Sequence, residues 1–417
     1  MSPKAIAASW LTTRLTMTQS AAGLARRRER LWTALRPALG RTPALAAFAD
    51  GPLSAVPITE VAALRADYGQ WNSLGCSHAE IHAAARDAET GGPGEVRPGV
   101  VAGYSTGSSG SRGVFLAGAA ERADYIGQIL ARVLPLGALV RPMRLALMLR
   151  ANSRLYSDSG SRRRPFLHLP LDLRPDEAAA RLAAFSPTVL IAPASRLVWM
   201  AGEVAAGRLA LPALSRLFYG AEPMGEAERA WVAGALGVRP DPIYQATEGF
   251  VAAACPRGAL HLNEHSLEIE LEPVTGTAGF RPVVTDLRRT SQPIVRVRTD
   301  DYLELDPAGC GCGYAGRVIR PVMGRVTDIW RFAARTVTPP QLSEAVEALL
   351  PPPAQWLAIA TPDHVELRIG HGTRPDDLAA RLGERLGLPV PVLVNDTPPD
   401  PPIPKRVRSL AFGLADE

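Results

Sequence analysis

The chain has 417 residues, 47% apolar and 21% charged, which excludes a disordered polymer and suits one large domain plus a smaller one. Its formal charge of +5, drawn mainly from arginine, fits an enzyme of anionic nucleotides; aromatics are few (6%) and not interleaved with basic residues, so a nucleic-acid stacking surface is not expected. Four cysteines exclude a secreted disulfide scaffold, and no apolar run is long enough to span a bilayer, so a cytoplasmic protein without membrane or nucleic-acid partners is expected.

Lys4, Arg14 and Arg26–Arg28 precede the first acidic residue, Glu29, a pattern that imitates a transit peptide. The reading favoured here is a basic amphipathic helix running on into Arg30–Leu35. Helical patterns follow at Ala22–Leu39, Ile58–Asp67 and His78–Asp87, and the loop signal Gly91-Gly92-Pro93-Gly94 closes that series. A helix is expected over Ala119–Leu134, a buried strand at Arg144–Leu149, a helix over Asp176–Phe185 and a strand at Thr188–Ala192. Leu214–Tyr219 reads as strand, Gly225–Leu236 as helix and Pro242–Tyr244 as a short strand. Strands alternating with helices predict a layered α/β fold with much parallel sheet. From His261 to Leu305 the residues alternate apolar and polar, as at Leu267–Leu271 and Ile294–Val297, which predicts antiparallel structure. The rest reads as a small α+β unit: helix Pro340–Leu350, strands Trp356–Ala360 and Val365–Ile369, helix Pro375–Leu386, strand Val390–Val394, then a proline-rich tether over Thr397–Pro404.

The first stretch with chemical meaning is Tyr104-Ser-Thr-Gly-Ser-Ser-Gly-Ser-Arg-Gly113. Glycines and small hydroxyl residues let backbone N–H groups approach phosphate oxygens, and Arg112 adds positive charge. The Gly-Lys-Ser/Thr ending of a Walker loop is absent, and composition alone also fits a flexible linker. Further along come Tyr219-Gly-Ala-Glu-Pro223, Tyr244-Gln-Ala-Thr-Glu-Gly249, Arg298-Thr-Asp-Asp301, Gly324-Arg-Val-Thr-Asp328 and, near the end, Lys405. These six, in that order and over Trp71 to Arg408, make the chain resemble the adenylate-forming superfamily. Glu222-Pro223 and Pro293-Ile-Val-Arg-Val-Arg-Thr299 resemble its phenylacetate–CoA ligase branch and the related coenzyme-adenylating synthetases.

The resemblance implies a large multi-layered N-terminal adenylation domain with mixed sheets, residues 1–323, and a small mobile α+β C-terminal domain, residues 324–417. It implies ATP and Mg²⁺ as cofactors. Ser105, Thr106, Gly107, Ser108, Ser109, Gly110 and Arg112 would hold the β- and γ-phosphates. Gly220, Ala221 and Glu222 would line the adenine slot, with Tyr244 stacking on the base. Thr247 would face the α-phosphate, Glu248 would hold Mg²⁺ and Asp301 would accept from the ribose hydroxyls. These roles also make chemical sense one by one. A carboxylate beside phosphates needs a divalent ion between them, and a carboxylate accepting two hydroxyls is a directional, charge-assisted contact. A helix-terminal acid is the plainer reading of Glu248, and an ion pair that of Arg298.

Lys405 would neutralise charge at the α-phosphate, although Pro404 stands where the family has glycine. Thr327 replaces a hinge aspartate, and Trp330-Arg-Phe-Ala-Ala-Arg335 lacks the glycines beside which a phosphopantetheine arm passes. Adenylation of a carboxylic acid is therefore the firmer expectation, followed by acyl transfer to a nucleophile such as CoA, an amine, a hydroxyl or a carrier protein. Two alternatives stand beside it: adenylyl transfer to a coenzyme hydroxyl, and a nucleotide-binding protein without turnover. Cys255, His261, Cys310 and Cys312 supply the ligand inventory of a structural Zn²⁺ site, as in some relatives of that branch. Cys76 reads as a core thiol. Asn152 and Tyr156, four apart after a strand, would border the acid. A homodimer is compatible with the sequence.

Overall fold

The computed structural model describes residues 2–105, 112–134, 143–149, 165–370, 374–397 and 410–411. Two helices come first, α1 (Pro3–Thr16) and α2 (Ala21–Leu39). They are separate: Ser20 caps α2 by accepting from the Gly23 amide at 3.2 Å, so the basic helix that runs on into Arg30–Leu35 is α2, and Lys4 and Arg14 lie on α1. β1 (Thr59–Glu60) runs straight into α3 (Val61–Ala66), where a single helix over Ile58–Asp67 was expected. The first residues are drawn into strand form because Glu60 pairs with the Arg298 register position and binds Arg281 and Arg298. The Ser77–Glu80 capping box starts α4 (His78–Glu89), and an antiparallel meander follows: β2 (Glu95–Arg97), β3 (Val100–Tyr104) and β4 (Val114–Gly118).

After α5 (Ala119–Val133) the chain alternates: β5 (Leu145–Leu149), β6 (Phe166–Pro170), α6 (Pro175–Phe185), β7 (Val189–Ala192), α7 (Ala194–Ala205), β8 (Arg216–Tyr219), α8 (Glu226–Leu236) and β9 (Pro240–Ala246). It then turns antiparallel through β10 (Gly249–Ala254), β11 (Leu260–Leu262), β12 (Leu267–Pro273), β13 (Phe280–Asp286), β14 (Ile294–Arg298) and β15 (Val318–Ile319). The C-terminal elements are β16 (Trp330–Phe332), β17 (Arg335–Val337), α9 (Pro339–Glu347), β18 (Trp356–Ala360), β19 (Val365–Ile369), α10 (Leu378–Leu386), β20 (Val392–Asn395) and β21 (Leu410–Ala411).

The main sheet has the order β15-β11-β10-β9-β8-β7-β5-β6, parallel from β6 to β9 and antiparallel from β9 onward. Its central strands are apolar on both faces because both are covered. Leu190, Leu217 and Tyr219 pack with residues of α6, α7 and α8, whereas Val189 and Phe218 pack with α5 residues such as Ile129 and Val133. α1 docks on α5 through the Ser9 hydroxyl, 2.8 Å from both the Asp124 carbonyl and its carboxylate. A second sheet, β1-β14-β13-β12, is covered by Trp32, Leu35 and Leu39 of α2. The mixed α/β architecture is the one expected.

Residues from Trp330 to Val394 make a separate apolar core around β18, β19, α9 and α10. They meet the larger part of the chain at Gly225, where the Glu347 side chain occupies the space any Cβ would need. Leu217 is 1% exposed at the centre of the main sheet. Leu217→Ala should lower the first unfolding transition in urea by about 2–5 kcal/mol, and a loss under about 1 kcal/mol would contradict this packing.

Candidate active site

The carboxyl ends of the parallel strands open on one edge of the main sheet, the usual ligand edge of such folds. Two of the sequence motifs leave from that edge. Gly220-Ala221-Glu222 follows β8, and Thr247-Glu248 turns from β9 into β10. Asn152, Tyr156, Thr106, Gly107, Ser108, Ser109, Gly110 and Lys405 lie outside the described residues.

The Ser/Gly loop springs from the β3–β4 hairpin, where Tyr104 pairs with Val114. Its neck is tightly bonded. The Ser105 amide donates to the Gly113 carbonyl at 2.7 Å, and the Gly113 amide donates to the Ser105 hydroxyl at 3.0 Å. Arg112 donates to the Ser105 carbonyl at 3.0 Å, lies 4.8 Å over the Tyr104 ring and pairs with Glu89. Ser105 and Arg112 therefore brace the neck in this conformation.

Thr247 sits against that neck. A Cβ on Gly113 would come 3.2 Å from both Thr247 Cγ2 and Oγ1, so a larger residue there would push the turn away. Arg289 holds the turn by donating to the Thr247 carbonyl at 2.5 Å and to Gln292 Oε1 at 2.5 Å. Gln292 in turn accepts from the Leu116 amide at 3.0 Å and donates to the Val114 carbonyl at 3.2 Å. The loop exit and the Thr247-Glu248 turn are thus stitched through one arginine and one glutamine. Neither was picked out in the sequence, where Arg289 and Gln292 sit in a polar connection without periodicity.

Glu248 and Asp301 are the buried acids of the site. Burial raises the Glu248 carboxyl above its ordinary value; the Asp301 charge adds to this, while Arg289 and Arg65 pull it down. Burial likewise raises Asp301, against the Tyr244 hydrogen bond and Arg325. Tyr244 donates its hydroxyl to the Asp301 carboxylate and is itself buried among Val251, Leu262 and Leu303. Its hydroxyl orients Asp301, and its ring offers little free surface for stacking. Asp301 also forms a backbone bridge with Arg325, beside Gly324, whose carbonyl accepts from the Tyr302 amide at 3.0 Å.

At the β8 end, Ala221 adopts φ +65°, a left-handed conformation unusual for a residue with a Cβ. Gly220 lies close to the Ile243 carbonyl, 3.0 Å from where a Cβ would stand. The Glu222 carboxylate accepts from the Ser195 amide at 2.8 Å at the start of α7. Glu222 is thus engaged with a helix N-terminus, beside the backbone of Gly220 and Ala221. Arg298 holds Glu272 with two bonds of 2.6 and 2.8 Å and Glu60 with one of 2.6 Å, the structural ion pair.

Cys255, His261, Cys310 and Cys312 converge, with their ligand atoms all within 4.8 Å of one another. A tetrahedral Zn²⁺ with bonds of about 2.0–2.3 Å needs ligand separations of roughly 3.3–3.8 Å. The Cys255–Cys310 sulfurs lie 3.6 Å apart, and Cys312 Sγ lies 3.3 Å from His261 Nε2, so the donor set fits. His261 Nδ1 faces the Gly316 carbonyl at 2.8 Å, which places the proton on Nδ1 and leaves the Nε2 lone pair for a ligand. Burial opposes ionisation of Cys255, yet hydrogen bonds from His261, the Arg257 and Ala259 backbone and Cys310 hold its thiol below the ordinary range. Burial also lowers the Arg132 guanidinium, while Tyr314, Cys255 and Cys312 act to restore it. Cys76 is a buried core thiol, as expected.

Burial pushes the Asp328 carboxyl up to about 6 against the Arg325 amide and charge, with Asp301 adding to the push. The stability of keeping it protonated is present below its ordinary value of 3.8 and is lost as pH rises through about 6. Asp328→Asn keeps an acceptor for the Arg325 amide, 2.9 Å away, without the ionisable group. The melting temperature of this variant relative to the wild type should therefore rise between about pH 4 and about pH 7, and a difference that stays constant across that range would contradict the buried-acid assignment.

No protein-family model matches the chain, and no curated protein matches it. Solved structures do. A 2-hydroxyisobutyryl-CoA ligase in the postadenylation state, bound to 2-HIB-AMP, superposes with a TM-score of 0.68 at 15% identity, covering 95% of this chain and 90% of that one. The same ligase in its thioesterification state, with 2-HIB-AMP and CoA, gives a TM-score of 0.52 at 15% identity over 95% and 91% of the two chains. The amide bond synthetase McbA from Marinactinospora thermotolerans gives 0.54 at 18% identity over 72% of this chain and 65% of that one. The chain has the fold shared by this CoA ligase and this amide bond synthetase.

Proposed function

We propose that the chain is an AMP-forming ligase that converts a carboxylic acid and ATP to an acyl-adenylate and pyrophosphate, and then passes the acyl group to a nucleophile such as CoA or an amine. The observation that carries this reading is the convergence of three features at the carboxyl ends of the sheet. They are the bonded neck of the Ser/Gly loop, the Thr247-Glu248 turn against Gly113, and Asp301 held by Tyr244.

In the first step an acid carboxylate oxygen attacks the α-phosphorus and pyrophosphate leaves. Ser105 to Gly110 and Arg112 would cradle the departing phosphates, Thr247 would contact the α-phosphate, and Lys405 would neutralise charge as it builds. Arg112 would have to exchange Glu89 for phosphate as ATP enters. Glu248 would hold Mg²⁺, which when bound supplies charge neutralisation to the phosphates. Burial raises the Glu248 carboxyl, and a cation bound beside it would favour its charged form. Asp301 would accept from the ribose hydroxyls, and Gly220, Ala221 and Glu222 would border adenine beside Tyr244. Asn152 and Tyr156 would border the acid.

Residues from 324 onward, with their own apolar core, are read as a mobile domain pivoting near Gly324. The closer likeness to the postadenylation form of the neighbouring ligase supports that reading. Trp330 is wholly buried at the base of the β16–β17 hairpin, so the glycine-free stretch Trp330–Arg335 weighs toward an acceptor smaller than CoA, such as an amine. The Cys255–His261–Cys310–Cys312 group is read as a closed structural zinc site in a reduced cytoplasm.

Pyrophosphate release with a panel of aromatic and aliphatic acids tests the reaction. Glu248→Gln and Lys405→Ala should each lower the rate by about 10²–10³-fold while ATP still binds. ATP binding without turnover for any acid would instead identify a non-catalytic nucleotide binder, and an adenylylated acceptor in the product mass spectrum would identify adenylyl transfer. For the metal, elemental analysis should find one zinc per chain, and a chelator should lower the melting temperature; a metal-free protein of unchanged stability would remove zinc from the account.

A further inference from the structure

Arg132, on α5, is 5% exposed, and no carboxylate pairs with it among the described residues. One of its terminal nitrogens donates to the Ala253 carbonyl at 2.7 Å and lies 3.5 Å from the His261 carbonyl. Its guanidinium carbon stands 4.8 Å over the Tyr314 ring. Ala253 lies two residues before Cys255, His261 is itself in the cluster, and Tyr314 lies two residues after Cys312. One cation therefore touches all three segments that bring the Cys/His group together. Its Nε and other terminal nitrogen are buried without a hydrogen-bond partner.

A buried, unpaired guanidinium is costly unless a negative charge lies nearby. Zn²⁺ held by three thiolates and a neutral imidazole carries one net negative charge, two positive from the ion against three from the sulfurs. That charge is buried too, and each group offsets part of the other's cost when the two adjoin. We propose that Arg132 is the counter-cation of the Cys255–His261–Cys310–Cys312 zinc site, balancing its charge and fixing the backbone that carries its ligands. The inference rests on the zinc reading above. It makes Arg132 a positioning residue of the metal site, contributed by a helix remote in sequence from every ligand.

The test measures zinc retention directly, by elemental analysis and by competition with a colorimetric zinc chelator, in the full chain. Wild type should hold one zinc, and Arg132→Met should weaken retention by about 10–100-fold, the usual effect of losing a partner of a metal ligand. Arg132→Lys, which keeps the charge, should lose much less. In a Cys312→His background the zinc site becomes neutral, so adding Arg132→Met should weaken retention much less than it does in the wild type, only by the lost backbone contacts. If wild type holds no zinc, the zinc reading fails and the counter-cation with it. If wild type holds zinc and Arg132→Met holds it equally, only the Arg132 assignment is overturned. Equal weakening in the neutral background would also overturn it, since the residue would then act by packing alone. Should Arg132→Met fail to fold, Arg132→Gln carries the same comparisons.

Discussion

Two carboxylates, Glu248 and Asp301, are withheld from water, with the Asp301 charge acting on Glu248, and the site is organised around that constraint. Burial disfavours their ionised forms, and each is lifted further by acidic neighbours, Asp301 for one and Asp300 for the other. Without compensation such groups take up protons and weaken the fold. Compensation is partial: Arg289 and Arg65 act on Glu248, and Tyr244 and Arg325 act on Asp301. On our reading, a divalent ion at Glu248 and a ribose at Asp301 would stabilise the charged forms that burial disfavours.

The main sheet lets these groups meet because its strand direction changes at β9 and β10. The parallel half gathers strand ends at one edge, and the antiparallel half returns from that edge carrying Glu248 at its start. β10 is six residues long and ends one residue before Cys255. On our reading, then, zinc and Arg132 pin the far end of the strand whose near end presents Glu248. The near end is pinned separately by Arg289 and Gln292. A turn that must keep its position through changes of ligand is thereby fixed at both ends of its strand.

Much of the scaffold was legible because parallel strands are short apolar runs between helical patterns. Val189–Ala192 and Arg216–Tyr219 are of that kind. β10 escaped notice because Gly-Phe-Val-Ala-Ala-Ala has small residues and no alternation, and its strand form comes from pairing on both sides. α7 escaped because it begins after Pro193 with no side-chain cap and is apolar on most of its surface. Nothing in the charge pattern before Glu29 shows that α1 docks on α5 through Ser9 and Asp124. The site motifs were visible as strings in order, but strings do not show what a side chain is bonded to. Arg112 turns to Glu89, Glu222 to the Ser195 amide, and Tyr244 to Asp301. Arg289 and Arg132 act on backbone 42 and 121 residues away, and nothing local in their sequence announces it.

The most direct measurement of the central claim is a crystal structure with a non-hydrolysable acyl-adenylate analogue. The account predicts the ribose hydroxyls on Asp301, the adenine beside Gly220 and Ala221, and the phosphate mimic between Thr247 and the Ser/Gly loop. An analogue bound elsewhere, or one that leaves Asp301 and Thr247 untouched at saturating concentration, would contradict it.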